Sequence, residues 1–328
     1  MTGDCPIVEK METEYFLKET GAPIALEDHQ RRVLNHFFTL TPQGKLPYTT
    51  YVYSTPKKEG KTEVAGAVSY AWLRLYGGDC ISAANDKEGA RARMFVRVVE
   101  TLLEIKRRKP SLYAKVVHES CLERGYRGTR DHSEIEFNAS GQANLGPHVL
   151  RAVPGDYAGE AGALIGLVTF DELWGYSSES LNRLYTELQP QPASPFSARL
   201  ITTYAGYYGE SELLWNIYDT VVKPDPQTDE ERGQRVPELE DLPVYVHPES
   251  GTVAYWDHEN RMPWKTAEFL DRARNDPALK GREGEYLRLW ENRWSTGSQP
   301  FLPTELIDRI MARGEALGLV NHMPAEAA

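Results

Sequence analysis

The chain has 328 residues, enough for one large domain or two ordinary ones with a real core. Its 41% apolar and 26% charged residues are globular proportions, which argue against a disordered, fibrous or membrane-spanning protein. With 37 basic against 48 acidic residues, a net charge of −11, the surface as a whole is not built to grip nucleic acid, and any grip must be local.

Met1 to Lys10 carries Asp4, Pro6 and Glu9 where a secretory leader needs a basic start and an apolar run, so export is not expected. The longest apolar run, Ala163 to Val168, is broken by Gly166 and falls far short of the roughly 20 residues a membrane span needs. Cys5, Cys80 and Cys121 are far apart and in no C-x-x-C pairing, which fits a reducing setting without disulfides or structural zinc. Basic residues cluster at Arg91, Arg93 and Arg97, at Lys106 to Lys109, and at Arg124, Arg127 and Arg130; acids gather from Asp225 to Asp241.

Along the chain, Tyr48 to Tyr53 is a short aromatic and β-branched run that predicts a strand. Glu63 to Leu75 then sets Val64, Ala67, Val68, Ala71, Trp72 and Leu75 on one helical face, stopped by Gly77 and Gly78. A strand at Asp79 to Ala83 and a helix from about Asn85 to Arg108 follow, so the opening alternates as a parallel α/β sheet does. From Ala114 to Val153, short apolar stretches at Lys115 to His118, Ser133 to Phe137 and His148 to Val153 predict a strand-rich excursion with hairpin character. The alternation resumes with a strand buried on both faces at Leu164 to Phe170 and a helix near Glu179 to Leu188. A strand at Arg199 to Tyr204 and a helix at Ser211 to Val222 complete it. Lys223 to Pro243, acidic and Pro-rich, reads as a linker. A hairpin from Val244 to Trp256 is expected after it, with helices at Lys265 to Arg274, near Arg282 to Glu291 and at Leu306 to Leu319.

Thr55-Pro56-Lys57-Lys58-Glu59-Gly60-Lys61-Thr62 lies between a predicted strand and a predicted helix. The pattern G-x-x-x-x-G-K-[ST] turns backbone N–H groups and a helix N-terminus toward phosphates. Here Thr55 stands in place of the first glycine; Gly60, Lys61 and Thr62 fit, with Lys61 reaching the β and γ phosphates of ATP and Thr62 holding Mg²⁺. Downstream, Leu164 to Glu172 is an apolar strand ending in two carboxylates. Alone, that pair reads as a helix N-cap with its first-turn acid. Beside a phosphate loop, Asp171 would support Mg²⁺ and Glu172 would polarise the attacking water, so ATP hydrolysis is the favoured chemistry. Thr202 and Thr203, one strand later, are hydroxyls placed to sense the γ-phosphate; alone, they read as a β-branched strand end before a glycine turn.

These segments resemble the large terminase subunit of tailed bacteriophages, the motor that packages DNA into proheads. The resemblance runs from about Leu26 to Pro303. It takes in Leu26 to Gln30, Lys57 to Thr62, Ser82 to Lys87, Val168 to Trp174, Thr202-Thr203, Asn292 to Trp294 and Phe301-Leu302. It implies an additional-strand P-loop NTPase with a central, mostly parallel sheet flanked by helices and a small C-terminal helical or linker subdomain. The ATPase core is then 1–222 and the linker or lid 223–328. It implies that Gln30 recognises adenine. Lys57 occupies the place of a cis-acting arginine, as a point charge without the bidentate fork. For the trans-acting finger, Arg151 is the nearest candidate and Arg124, Arg127 and Arg130 are others; no arginine lies between Arg151 and Asp171.

Implied partners are double-stranded DNA, the portal protein and the small terminase subunit, in a homo-oligomeric ring in the host cytoplasm, with no membrane. The family's metal-dependent nuclease needs carboxylates on strands, and the residues after Phe301 offer mostly one predicted helix. A motor without the cutter is therefore expected, with the nuclease separate or missing and no nuclease activity in this chain. The competing readings are a helicase-like or other P-loop NTPase outside packaging, and a non-catalytic packaging component with a vestigial site. Glu172 speaks against the latter.

Overall fold

The structure, a computed structural model, describes residues 4–84, 94–116, 142–145, 148–153, 165–222 and 233–296, with four more at 309, 310, 312 and 313. Two helices precede the first strand: α1 (Pro6–Glu14) and α2 (Asp28–Phe38). Helix α2 opens with a reciprocal cap, in which the Glu27 side chain accepts from the backbone at Gln30 while the Gln30 side chain accepts from the backbone at Glu27. Its apolar face, Val33, Leu34, Phe37 and Phe38, is buried, with Phe37 and Phe38 against Tyr51.

The αβ alternation is as the sequence predicts: β1 (Thr50–Ser54), α3 (Lys61–Leu75), β2 (Asp79–Ala83) and α4 (Val96–Arg108). Residues 85–93 lie outside the described chain, and with them the predicted start of α4 and the Ser82 to Lys87 segment's second half. Lys115 and Val116, expected on a strand, instead end a short helix, α5 (Pro110–Val116). Proline at the first helical position and the buried Tyr113 override the β-branched signal of Val116-Val117. The expected strand at Ser133 to Phe137 and the arginines at 124, 127 and 130 lie outside the described residues. Then come β3 (Gln142–Leu145), β4 (His148–Val153), β5 (Ile165–Asp171), α6 (Glu179–Glu187), β6 (Ala198–Thr203) and α7 (Glu212–Val221).

The stretch expected as a linker is partly core. Its second half carries an edge strand, β7 (Gln234–Arg235), and buries Val236, Leu239 and Leu242, while Asp241 takes both ends of the Arg32 guanidinium at 2.6 and 2.7 Å. Apolar residues spaced through an acidic segment gain more from burial than its charges lose, because the carboxylates stay at the surface. The predicted hairpin follows as β8 (Val244–His247) and β9 (Thr252–Trp256), then α8 (Ala267–Arg274) and α9 (Glu283–Trp290). Of the last predicted helix only residues 309, 310, 312 and 313 are described, and they are helical.

The described strands form one nine-stranded sheet in the order β3-β4-β2-β5-β6-β1-β9-β8-β7, parallel from β4 to β9 and antiparallel at both margins. One strand, β6, separates the phosphate-loop strand β1 from the acidic strand β5, the additional-strand arrangement. The sheet also runs across the boundary expected at 222: β9 pairs directly with β1, Ser54 opposite Trp256. Period-two alternation splits the core. Tyr51 and Tyr53 face α1 to α4, with Val64, Trp72 and Leu102, while Val52 and Ile201 face α6 and α7, with Leu184 and Leu214. Covered on both faces, the parallel strands have their functional ends, as in other open α/β sheets, at the carboxyl edge.

Candidate functional site

At the carboxyl end of β1 the chain turns through residues 55–60 and enters α3. Gly60, at the helix N-cap, has φ +78°, the left-handed conformation glycine adopts without strain. Lys58 is also left-handed at φ +71°. The Lys61 ammonium donates to the carbonyls of Thr55 (2.8 Å) and Pro56 (2.9 Å) and lies 4.9 Å from the centroid of the Tyr204 ring. Burial pushes its pKa down to about 8, against the pull of the nearby Glu172 and Asp171 carboxylates.

The acidic strand ends beside this loop. Asp171 is 2% exposed; its Oδ1 accepts from the Thr202 hydroxyl at 2.9 Å, and its Oδ2 faces the Thr62 hydroxyl at 3.5 Å. Glu172 departs from the strand with φ +57°, uncommon for a residue with a side chain, while its N–H continues the ladder to Thr202 O at 2.7 Å. Its Oε2 accepts from the Trp174 indole N–H at 2.6 Å. The two threonines separate in role: Thr202 holds Asp171, whereas the Thr203 hydroxyl donates to Tyr204 O and accepts from the Trp174 N–H. A cleft of about 300 Å³ is lined by Gly60, Lys61 and Thr62 together with Glu172, Tyr204 and Arg97.

Arg97 was not singled out as a site residue by the sequence, which shows it only in a basic cluster. It extends from α4 and is held by Glu63 (3.4 Å), Glu100 (3.0 Å) and Glu19 (3.2 Å). Lys57, at the place of a cis arginine, also lines the cleft, with its ammonium 6.0 Å from the Trp290 ring centroid. Arg151 is largely buried against Asp79 at 3.0 Å, at the start of β2 and so at the opposite edge of the sheet from the loop.

Gln30 is 3% exposed and its amide is committed. Its Oε1 accepts the Glu27 N–H at 3.1 Å, and its Nε2 faces the Glu59 carbonyl at 3.4 Å, so it braces the loop from behind. No sequence signal separates that duty from base recognition, since a Glu-x-x-Gln cap and an adenine-reading glutamine look alike.

The segment from 257 to 292 packs on the loop from the far side. Lys265 pairs with Glu59 at 3.0 Å, both side chains 2% exposed or less, and donates to Lys57 O at 2.7 Å. Burial lowers the Lys265 pKa and raises that of Glu59, and each charge offsets part of the other's loss. Removing either partner would strand a buried charge, at a cost of about 3–5 kcal/mol. Trp264 donates its indole N–H to Lys58 O at 3.0 Å, and the Lys57 N–H donates to Leu289 O at 2.6 Å. Asn292, fully buried with φ +51°, ties three strand ends: its Oδ1 accepts the Ala205 N–H at 2.6 Å, and its Nδ2 donates to Ser54 Oγ at 3.0 Å and Asp257 O at 2.8 Å.

Among the described residues no three His, Cys, Asp or Glu side chains cluster as a metal cage. A hydroxyl and one carboxylate, Thr62 and Asp171, nonetheless match what Mg²⁺ asks of a protein when phosphates and water complete its shell. No described helix is long and apolar enough to cross a membrane.

No protein-family model matches the sequence, and no curated protein matches it. Among solved structures the chain is similar to the HK97 bacteriophage large terminase, at 15% identity and a TM-score of 0.56, over 90% of this chain and 56% of that one. The ATPase domain of the Thermus phage P74-26 large terminase is a more distant likeness, at 14% identity and a TM-score of 0.46, over 82% of this chain and 99% of that one. The chain shares its fold with the HK97 large terminase, about half of whose length, 56%, it spans.

Proposed function

We propose that this chain is an ATP-hydrolysing motor of viral DNA packaging, which moves double-stranded DNA into a prohead. The observation that carries the reading is the convergence of Lys61, Thr62 and Glu172 on one cleft at a glycine-capped helix N-terminus, with Asp171 beside Thr62 and Thr202 bonded to Asp171 behind it. In it, Lys61 and the N-terminus of α3 bind the β and γ phosphates of ATP. Thr62 and Asp171 would hold Mg²⁺, which screens phosphate charge when bound. Thr202 fixes the Asp171 carboxylate, and Glu172 takes a proton from the attacking water. Lys57 and Arg97 are two further cations of the cleft, available to the charge that develops on the γ-phosphate. Duplex DNA, the portal, the small terminase subunit, a ring of like subunits, a nuclease borne elsewhere and the host cytoplasm complete the proposal. With a net charge of −11, contacts to DNA are confined to a few loops and are strongly salt-dependent.

The test is ATP turnover measured alone, with duplex DNA, and with proheads and duplex DNA. Stimulation by the last combination, with DNA becoming nuclease-resistant inside the prohead, supports packaging. Turnover coupled instead to strand separation would favour the helicase-like alternative, and no turnover under any condition would refute an ATPase.

Two predictions follow from the loop itself. Because Lys61 titrates near 8 in the free site and phosphates favour its charged form, ATP binding takes up a proton above that pH. The dissociation constant is expected to be flat below pH 8 and to rise by up to about tenfold per unit above it. Calorimetry at pH 8.5 in buffers of different ionisation enthalpy measures the uptake; a pH-independent constant to pH 9.5 would reject the shifted lysine. Gln30→Ala removes the brace behind Glu59 rather than a base contact, so ATP and GTP are expected to lose affinity by the same factor. A selective loss for ATP would return Gln30 to adenine recognition.

A further inference from the structure

We propose that Arg288 and Trp174 act together as the positioning device for Glu172, so that α9 controls whether the hydrolytic base is correctly aimed. This rests on the assignment of Glu172 above. Arg288 is 3% exposed, and among the described residues its guanidinium meets a single carboxylate, Glu285, at 2.9 Å. What otherwise surrounds it is aromatic: its centre lies 4.1 Å from the Trp174 ring centroid, 4.5 Å from Tyr207 and 4.9 Å from Tyr204. A planar cation set among three ring faces is held strongly, because desolvation raises the worth of each cation–π contact. Glu285 is itself fixed by the Tyr207 hydroxyl, so the cage is closed from the α9 side.

Two of these rings reach the hydrolytic carboxylate. Trp174 gives its indole N–H to Glu172 Oε2 at 2.6 Å. Tyr204, stacked on Trp174 with 24° between planes, interacts with both Glu172 and Arg288 and lies beneath Lys61 on the cleft. Glu172 sits in a left-handed backbone conformation that a strand end does not adopt unaided, and the ring pair is what its side chain leans on. A base oriented by a third group is the arrangement activated nucleophiles require. Here the third group is an indole, and the arginine that fixes the indole comes from α9, which also holds the phosphate loop through Leu289 O and Lys57 N. Movement of α9 would therefore disturb loop and base together.

The titratable and charged groups around Glu172 are Lys61 and Glu63 of α3, Arg97 of α4, Asp171 beside it, Tyr204, Arg288 of α9, and Lys57 and Lys58 of the loop. Trp174→Phe changes none of these charges and keeps a ring for Arg288, but deletes the N–H that orients the Glu172 carboxylate. The expected result is an unchanged dissociation constant for a fluorescent ATP analogue with kcat about tenfold lower. Arg288→Lys keeps the charge but not the planar stack and is expected to lower kcat to a similar degree at unchanged binding. The double variant is expected to lose no more than either single one, because both act through the same carboxylate.

Additive losses, or a fall in ATP affinity matched by a lower melting temperature, would make the cage a packing feature and overturn the proposal. Wild-type kcat in Trp174→Phe and Arg288→Lys, with Glu172→Gln inactive, would overturn it and leave the ATPase reading standing. Full turnover in Glu172→Gln would overturn the reading on which it rests.

Discussion

Alanine in place of Lys61 is expected to yield a protein that folds as well as the parent and turns over ATP about a thousandfold more slowly. Lys61 is 6% exposed, and its pKa of about 8 lies below the ordinary lysine value of 10.5, so the folded state holds fewer protons than the unfolded one between those limits. The burial penalty is therefore full below pH 8 and relieved as pH rises toward 10.5, and at pH 7 it amounts to about 3 kcal/mol. Removing the side chain removes that penalty but forfeits the packing of three methylenes at about 0.8 kcal/mol each. The two effects nearly cancel, and the melting temperature is expected to move by only a few degrees. Activity has no such compensation. Loss of one preorganised cation at the transferring phosphoryl group is worth about three orders of magnitude in turnover, and ATP affinity falls as well. Thermal melts, an ATP-binding assay and steady-state turnover on the purified variant check all three. Parental turnover would remove Lys61 from the phosphate site.

The phosphate loop and the acidic strand are legible in the sequence because each is a local pattern: a glycine-lysine-threonine run at a strand-to-helix switch, and an apolar run closed by two carboxylates. Strand order is legible only through the resemblance, since nothing local says that β6 separates β1 from β5 or that β9 adds to β1. Helices α1 and α2 escape because their apolar faces are short and interrupted by charge, Glu12 and Glu14 on α1 and Arg31 and Arg32 on α2. Gln30 is different: its motif is present in the sequence, and its side chain also caps α2 and faces the back of the loop. Arg97, Lys265 and Arg288 are invisible for a physical reason: each acts across more than 30 residues of chain, through a cleft wall, a buried ion pair or a ring stack. A buried lysine or arginine reads in sequence as a solvated one, and only the partner that three-dimensional folding brings to it gives it a role.

Glutamine in place of Glu172 separates binding from chemistry. The amide has the size of the carboxylate, tolerates the same left-handed backbone and still offers an oxygen to the Trp174 indole N–H, so the turn from Asp171 to Trp174 is expected to persist. Asp171 keeps its Thr202 and Thr62 neighbours, and Lys61 keeps its loop carbonyls. ATP is therefore expected to bind with the parental constant, while the amide, which takes no proton from water, lowers turnover by about 10²–10⁴-fold. Asp171→Asn is the contrasting variant. It weakens the carboxylate that Thr62 and Thr202 surround and so is expected to reduce the Mg²⁺ dependence of binding as well as the rate. Single-turnover hydrolysis with saturating enzyme distinguishes the two, because a slow chemical step then appears without any contribution from product release. Parental single-turnover rates in Glu172→Gln would place the base on another carboxylate of the cleft. Among the described residues Glu63 is the one other acid that lines it, and burial already raises its pKa, so Glu63→Gln in the same assay would decide between them.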